Sequence, residues 1–479
     1  MACGLGQACS NGQCGGGGAP GPDGCSGVAH NLTLSEIAVY QTVSVPVMKS
    51  GSEVAVATRN TDVVVGRDGV FRVFVTTGAG FVSRSLSARV YVQNGTAVDS
   101  YYAKASIAGS SQEATLSSTF QVMVPKDKIT QDTRYAVEVV ECGGSDPAAV
   151  QSPRFPATDG LALGARVTGG LKITLIPMLA NSLLPDTSDA ALAVYRSQML
   201  ATYPITDIDF SIGDQVSVTD ATDWNTMLDQ IRAKRAADKP AADVYYFGLL
   251  KPAATLRAYC GNGCVAGIGF VVTDGMGSAA QQASGRAALG LAYGDVTSAE
   301  TMVHEVGHNH GRNHAPCAPP GSSISGVDPS YPYANAAVGV YGWDSRSSTL
   351  ITPSYTDIMG YCNMRWLSDY TYDGLLNRVA TVDSMSMSEL SVPADQVHPW
   401  RVALLDARGP RWGIPIADPQ LPMGAAEQAE ILDASSSVVA SVTVYRTEVS
   451  DTDAFSVLVP EPEPGWVSVR LHGAAALRF

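Results

Sequence analysis

The sequence predicts an α+β region, built on a mixed twisted sheet, flanked by two all-β sandwich domains. Three observations carry this. Short runs with apolar residues at every second position fill both ends of the 479-residue chain, strands alternate with amphipathic helices between them, and Gly, Ser, Thr and Ala are plentiful while only 16% of residues are charged. Period two puts successive side chains on opposite faces of a strand, whereas apolar residues three and four apart line one face of a helix.

Residues 1–27 hold Cys3, Cys9, Cys14 and Cys25 among many Gly and Pro. So few apolar side chains cannot build a core, and the segment reads as a cysteine-stapled leader or tether, either a spacer from a cell surface or a tail without a role. Residues 28–164 carry alternating runs at Ile37 to Tyr40, Val70 to Val75 and Arg89 to Val92, the last followed by Asn94-Gly95. An Asn-Gly pair after such a run marks a hairpin, and further runs at Phe120 to Val124 and Tyr135 to Val140 fill out a sandwich of about seven strands. Nothing in this region clusters chemistry.

Residues 165–390 change rhythm. Strands are expected at Leu171 to Ile176, Asp207 to Ile212, Val244 to Leu250, Gly267 to Val272 and Ala288 to Tyr293, with helices from Ser188 to Thr202 and from Trp224 to Ala237. Strand and helix in alternation define a layered α/β unit. Residues 391–479 return to alternation at Arg401 to Leu405, Ser441 to Tyr445 and Trp466 to Arg470, between Pro-rich turns, and read as a second sandwich.

The charge excludes one class of partner. With 31 basic against 45 acidic residues the formal net charge is −14, and no basic stripe offsets it, so a phosphate backbone would be repelled and no nucleic-acid partner is expected. No apolar run approaches the roughly 18 residues that span a bilayer. The cysteines fall into the N-terminal four, a second four (Cys260, Cys264, Cys317, Cys362) around the candidate site, and Cys142 alone. Two sets of four point to disulfides and an oxidising compartment. The rival reading of the first set as a second metal site lacks the paired CxxC spacing and the His of zinc modules. No apolar segment follows Met1-Ala2-Cys3 as an export signal would require.

The chemistry concentrates in His304-Glu305-Val306-Gly307-His308-Asn309-His310-Gly311-Arg312-Asn313-His314, which contains HExxHxxGxxH. One helical turn separates His304 from His308, so both imidazoles can reach one ion at about 2.0 to 2.1 Å. Glu305 falls beside them without being a ligand, Gly311 can turn the chain sharply, and His314 returns as the third ligand. Thr297 with Glu300 three residues on reads as a capping box, which sets the helix at 298–310. His310 lies on another face and is expected to be structural or exposed. His30, His398 and His472 carry no motif.

Followed downstream by Asp357-Ile358-Met359-Gly360-Tyr361, the motif resembles the signature of the metzincin zinc peptidases, in which a methionine turn underlies the metal. The resemblance implies one Zn2+ on His304, His308 and His314, Glu305 as the base that activates zinc-bound water, and Met359 beneath the site. It implies Tyr361 either as a fifth ligand or oxyanion stabiliser, or as a ring packed under the site. It also implies that substrate aligns against an edge strand at Gly267, Ile268, Gly269 and Phe270; an interior strand with close packing at its glycines is the other reading. HEVGHNHGRNH, with Tyr341-Gly342-Trp343-Asp344 and flanking β domains, is similar to the StcE-like secreted metzincins that cut mucin-type glycoproteins. That likeness implies a bacterial endopeptidase, secreted or attached to the cell surface, acting on protein or glycoprotein, with the β domains contacting carbohydrate or serving as spacers. The alternatives are a binding or adhesion protein with an inert metzincin core, and a zinc hydrolase of another substrate class.

Because Cys317 follows His314 and Cys362 follows Met359, two elements that must meet at the site, a Cys317–Cys362 disulfide is expected. Cys260 and Cys264 can close a small loop. Cys142, left over when the two sets of four pair internally, sits in Glu141-Cys142-Gly143-Gly144-Ser145-Asp146 and partly resembles the cysteine switch of matrix-type metzincin zymogens, without its Pro-Arg pair. It is either such a latent thiolate ligand or a packed cysteine.

Overall fold

The computed structural model describes residues 5–6, 9–10, 13–14, 22–143, 152–384 and 398–479, except 262, 274, 278–280, 322 and 419–421. The chain forms two compact units. One comprises Met1–Thr168, Ala337–Tyr355 and Trp366–Asp373, and the other Gly169–Ala336, Thr356–Arg365 and Gly374–Phe479.

In the first unit two antiparallel sheets share one core. The strands of one run in the order Phe120–Val124, Gly69–Thr77, Leu32–Tyr40, Ser44–Lys49, Ser52–Glu53; the other is built on Arg154–Phe155, Arg134–Glu141, Arg84–Asn94 and Ala97–Ile107. Alternation along these strands turns Ile37, Phe71, Val73, Val90, Val122 and Val137 inward together. The expected Asn-Gly hairpin is present: Asn94 pairs with Ala97, and Gly95 takes φ +60°, which a glycine adopts at no steric cost.

Three expectations need correction in this unit. The described part of the leader packs: Leu5 is buried with Tyr91 and Ala136, and the guanidinium of Arg89 holds Asp23 at 2.6 Å. The remainder of the leader lies outside the described residues. Cys142 is not left over, because the short strand Gly27–Val28 pairs with Val140 and Glu141 and brings Cys25 to it, their Cα atoms 4.2 Å apart in a disulfide. A thiolate switch at Cys142 is thereby excluded. Finally, the Tyr341-Gly342-Trp343-Asp344 segment joins this unit, where Trp343 N–H and Trp366 Nε1–H both donate to the Thr42 carbonyl at 2.9 Å.

The second unit opens on a six-stranded sheet in the order Ile208–Ile212, Leu171–Leu179, Val244–Leu250, Ala287–Leu291, Gly267–Gly269, with the short Val216–Ser217 also pairing in parallel with Leu171–Leu179. The first four strands are parallel and the last is antiparallel, so Gly267–Gly269 ends this sheet. Helices Asp189–Thr202, Trp224–Asp238 and Val296–Asn309 accompany it. Asp223 caps the second of these by accepting from Thr226 N–H, and Lys239 ends it in the left-handed conformation.

The C-terminal strands form one antiparallel sheet of eight rather than two facing sheets. His398–Leu405, Ala454–Pro460, Val438–Val449 and Ala425–Leu432 lie side by side at its centre. One face closes over Ala429, Ile431, Val444, Val457 and Val469. The other packs Val402, Leu404 and Leu458 against Ala233 and Ala236 of the helix Trp224–Asp238. The helix supplies the cover that a second sheet would have given. Polar clamps complete the contact: Arg232 donates to Ser456 Oγ at 2.7 Å and Arg411 to Asp223 at 2.9 Å.

Candidate metal centre

The helix Val296–Asn309 starts two residues before the expected position. Asp295, not Thr297, is its cap and accepts from Ser298 N–H at 2.8 Å, which leaves Thr297 inside the first turn. The helix ends as expected at Gly311, whose φ is +76° and whose Cβ, if it had one, would stand 2.7 Å from the Val272 carbonyl oxygen. Gly311 N–H donates to His308 O at 2.9 Å and Arg312 N–H to Gly307 O at 3.0 Å, the pair of bonds that closes a Schellman turn. The reversal brings His314 back toward the helix. A short ladder to residues 326–328 fixes it there, with His314 N–H on Gly326 O at 2.9 Å and Asp328 N–H on His314 O at 2.8 Å.

The three imidazoles converge through Nε2. His308 Nε2 lies 3.1 Å from His304 Nε2 and 3.2 Å from His314 Nε2. Each Nδ1 meets a main-chain carbonyl instead: His304 on Ile358 O at 2.7 Å, His308 on Arg312 O at 2.7 Å and His314 on Ser325 O at 2.5 Å. A carbonyl only accepts, so each Nδ1 carries the proton and each Nε2 presents a lone pair. Three lone pairs aimed at one buried point repel one another unless a cation sits among them. The spacings approach the roughly 3.4 Å edge of a tetrahedron of nitrogens 2.1 Å from a central ion, so the donors fit zinc.

Asp451 adds a fourth donor. Its carboxylate oxygens stand 3.7, 3.5 and 3.4 Å from Nε2 of His304, His308 and His314, and the four side chains form a cluster able to hold a metal. Sequence reasoning missed this residue: it follows His314 by more than a hundred positions, in the turn between Val438–Val449 and Ala454–Pro460, and the polar run Ser450-Asp451-Thr452-Asp453 signals only a hairpin turn.

Electrostatics follow from burial. It depresses His304 to about 3 and lowers His308, so both stay neutral and able to ligate. Burial is the strongest single influence on His314 and lowers it, but the hydrogen bond and charge of Asp451, the Ser325 carbonyl and the Glu448 charge together outweigh burial and raise that imidazole. Burial would raise Asp451, yet the three histidines together hold its carboxyl well below the ordinary range. Burial first, and the Asp451 charge second, push Glu305 well above it.

Glu305 lies beside the cluster and against the edge strand, where a Cβ on Gly267 would come within 2.7 Å of its side chain. Its Oε2 accepts from Ser450 Oγ at 3.1 Å. Met359 is buried under the helix, 2.6 Å from where a Gly307 Cβ would be. The turn that carries it is tied in by Ala315 N–H to Met359 O at 3.0 Å and Tyr361 N–H to Cys317 O at 2.8 Å. The expected Cys317–Cys362 disulfide forms beside it, with Cα atoms 5.8 Å apart, as does Cys260–Cys264. Tyr361 Oη reaches His314 Nε2 at 3.3 Å and donates to Asp451. His310 is buried, as a structural histidine would be, stacked on Tyr245 with its Nε2 3.1 Å from the Tyr245 hydroxyl.

A further residue outside the sequence reading is Asn309. Its amide nitrogen lies 2.9 Å from Phe270 O, 3.1 Å from Ala287 O and 3.3 Å from Gly285 O, which fastens the end of the helix to the edge of the sheet.

Two protein families match this region. Residues 271–389 match the Peptidase M66 family, and residues 187–315 match the reprolysin-like metallopeptidase family M12B. Neither spans half of the chain, and no curated protein matches it. The matches overlap on residues 271–315, which contain all three converging histidines. Together they support a metallopeptidase, a class that typically uses zinc and acts on protein.

Proposed function

We propose that the chain is a zinc endopeptidase of the metzincin kind, with the metal on His304, His308 and His314. The convergence of three protonation-locked imidazoles at a point flanked by Glu305 and by the sheet edge carries this reading. Met359 is read as the methionine turn, and the two-sheet N-terminal body as a flanking β-sandwich.

Zinc in this position supplies Lewis acidity, polarising a peptide carbonyl and making water a stronger acid. The chain's own groups do the rest. Glu305 takes a proton from the attacking water as its oxygen bonds to the carbonyl carbon, then delivers that proton to the amine nitrogen as the C–N bond breaks. Tyr361 Oη, which donates to Asp451 in the folded chain, is the group that would donate to the oxyanion of the tetrahedral intermediate. Gly269 and Val271 carry the main-chain groups of the sheet edge, bonded here to Ser450 and Glu448, along which a peptide would add as an antiparallel strand once that segment withdraws, with little demand on its side chains.

Likeness to the StcE-like enzymes extends the proposal to a secreted or surface-attached bacterial protein acting on glycoproteins, with carbohydrate contact through the β domains. The disulfides agree with an extracellular location, and among the described residues no helix is long and apolar enough to cross a membrane. The test is zinc content with peptide cleavage. The parent is expected to bind one zinc and to cut unstructured protein or mucin, and His308→Ala to lose both properties. Zinc retained with no cleavage in any activated form would instead favour the inert, adhesive alternative.

A further inference from the structure

We infer that Asp451 is a fourth protein ligand of the metal and that Glu448–Asp451 fills the substrate groove, so the folded chain holds its own active centre closed. The inference rests on the metallopeptidase reading.

The first observation is geometric. A tetrahedral ion needs four donors about 3.4 Å from one another, and the Asp451 carboxylate faces the three imidazoles at such spacings, with Oδ1 3.7 and 3.4 Å from Nε2 of His304 and His314 and Oδ2 3.5 Å from Nε2 of His308. Its Oδ2 is buried and accepts no hydrogen bond from a described group, as befits an oxygen placed for a cation. Three neutral imidazoles leave a divalent ion uncompensated, and one carboxylate halves the remaining charge.

The second observation concerns the main chain and is independent of any metal. Val271 N–H donates to Glu448 O at 3.2 Å, Phe270 forms an antiparallel bridge with Val449, and Ser450 N–H donates to Gly269 O at 2.9 Å. Gly269 N–H is satisfied by Ser450 Oγ at 2.8 Å. The strand end thus adds to the outer side of Gly267–Gly269, the edge a peptide substrate would use. Side chains complete the occupation: Ser450 Oγ holds Glu305, and Tyr361 donates to Asp451. Ligand vertex, base, oxyanion donor and backbone edge are all taken by one segment.

The third observation is how the occupant is held. It is no loose tail but the turn of a hairpin, Val438–Val449 with Ala454–Pro460, in a sheet seated on Trp224–Asp238. Asp451 takes φ +57° there, a left-handed conformation that aspartate tolerates better than most residues. Opening the centre requires this turn, or the sheet that carries it, to leave the groove.

The experiment uses the full chain, Asp451→Gly and Asp451→Asn, since both replacements accept a positive φ and keep the turn. Each protein is assayed for zinc, then loaded with cobalt(II) for its visible spectrum and titrated with acetohydroxamate by calorimetry. A closed population lowers apparent affinity in proportion to the fraction open. Closure predicts that Asp451→Gly binds acetohydroxamate at least about tenfold more tightly than the parent, with altered cobalt bands and faster peptide turnover, and that Asp451→Asn falls between. One zinc per chain in all three, with equal affinities and identical cobalt spectra, would overturn closure and leave the metal centre standing. Zinc absent from all three, or retained by His308→Ala, would overturn the metallopeptidase reading and closure with it.

Discussion

A Cβ on Gly307 would stand 2.6 Å from the sulfur of Met359, closer than any methyl group can lie, so the Met359 side chain lies directly against the helix backbone there. Gly307→Ala would gain up to about 1 kcal/mol of helix propensity but lose about 1–3 kcal/mol to overpacking. Net destabilisation is expected in urea unfolding of the zinc-loaded chain. In a Met359→Ala background the sign should reverse, because the obstructing sulfur is gone. A stabilising Gly307→Ala in the parent would show that the contact is slack.

Glu305→Gln is expected to keep zinc and fold while lowering kcat about 10²- to 10⁴-fold, since the amide preserves the shape but cannot accept a proton from water. The comparison is best made in the Asp451→Gly background, where closure cannot mask the loss. Near-parental turnover would remove Glu305 from its role.

Asn309 was not legible as important, yet its amide lies on three main-chain carbonyls, those of Phe270 beside the edge strand, of Ala287 in the neighbouring strand and of Gly285 just before it. Asn309→Leu removes this buried donor from the Phe270 and Gly285 carbonyls, while Ala287 O keeps its bond from Phe270 N–H, at a cost of about 1–3 kcal/mol. KM for peptide should rise while acetohydroxamate affinity stays unchanged, as the edge loosens while the metal stays. Unchanged thermal stability would contradict this assignment.

Replacing Cys317 and Cys362 together by serine opens a covalent loop with a sequence separation of 45 residues. The expected cost is about 2–4 kcal/mol, read from urea midpoints. Zinc affinity should fall as well, because Ala315 and Tyr361 hydrogen bonds join the two arms beside the histidines. Equal zinc affinity in the two forms would mean that the arms hold without the bond.

The convergence of His304, His308 and His314 was readable because HExxH needs only helical periodicity, and Gly311 announces the turn that returns His314. Features set by pairing between distant strands were not. Cys142 finds Cys25 only because Gly27–Val28 docks on Arg134–Glu141, and Asp451 reaches the histidines only through the edge of another sheet. The C-terminal region was read correctly as β but not as a single sheet, since alternation records that a face is covered and not whether a helix or a sheet covers it. The helix cap was displaced because Asp295 and Thr297 are both good caps, and sequence alone does not choose between them.

Removing the metal with a chelator should leave the far-ultraviolet dichroism unchanged while the unfolding midpoint falls. Linkage gives about 4 kcal/mol of stabilisation at a free zinc concentration a thousand times Kd. A large loss of helix on chelation would show that the ion organises the site.

The three groups that aim the imidazoles are the main-chain carbonyls of Ile358, Arg312 and Ser325. A carbonyl persists whatever side chain its residue bears. The orienting layer of this centre can therefore be rewritten at positions 312, 325 and 358 without loss of its hydrogen bonds, provided the backbone keeps its path. In related chains it would leave no letter-by-letter trace: a pattern search would recover the histidines and nothing of what points them, and only the course of the chain would be inherited.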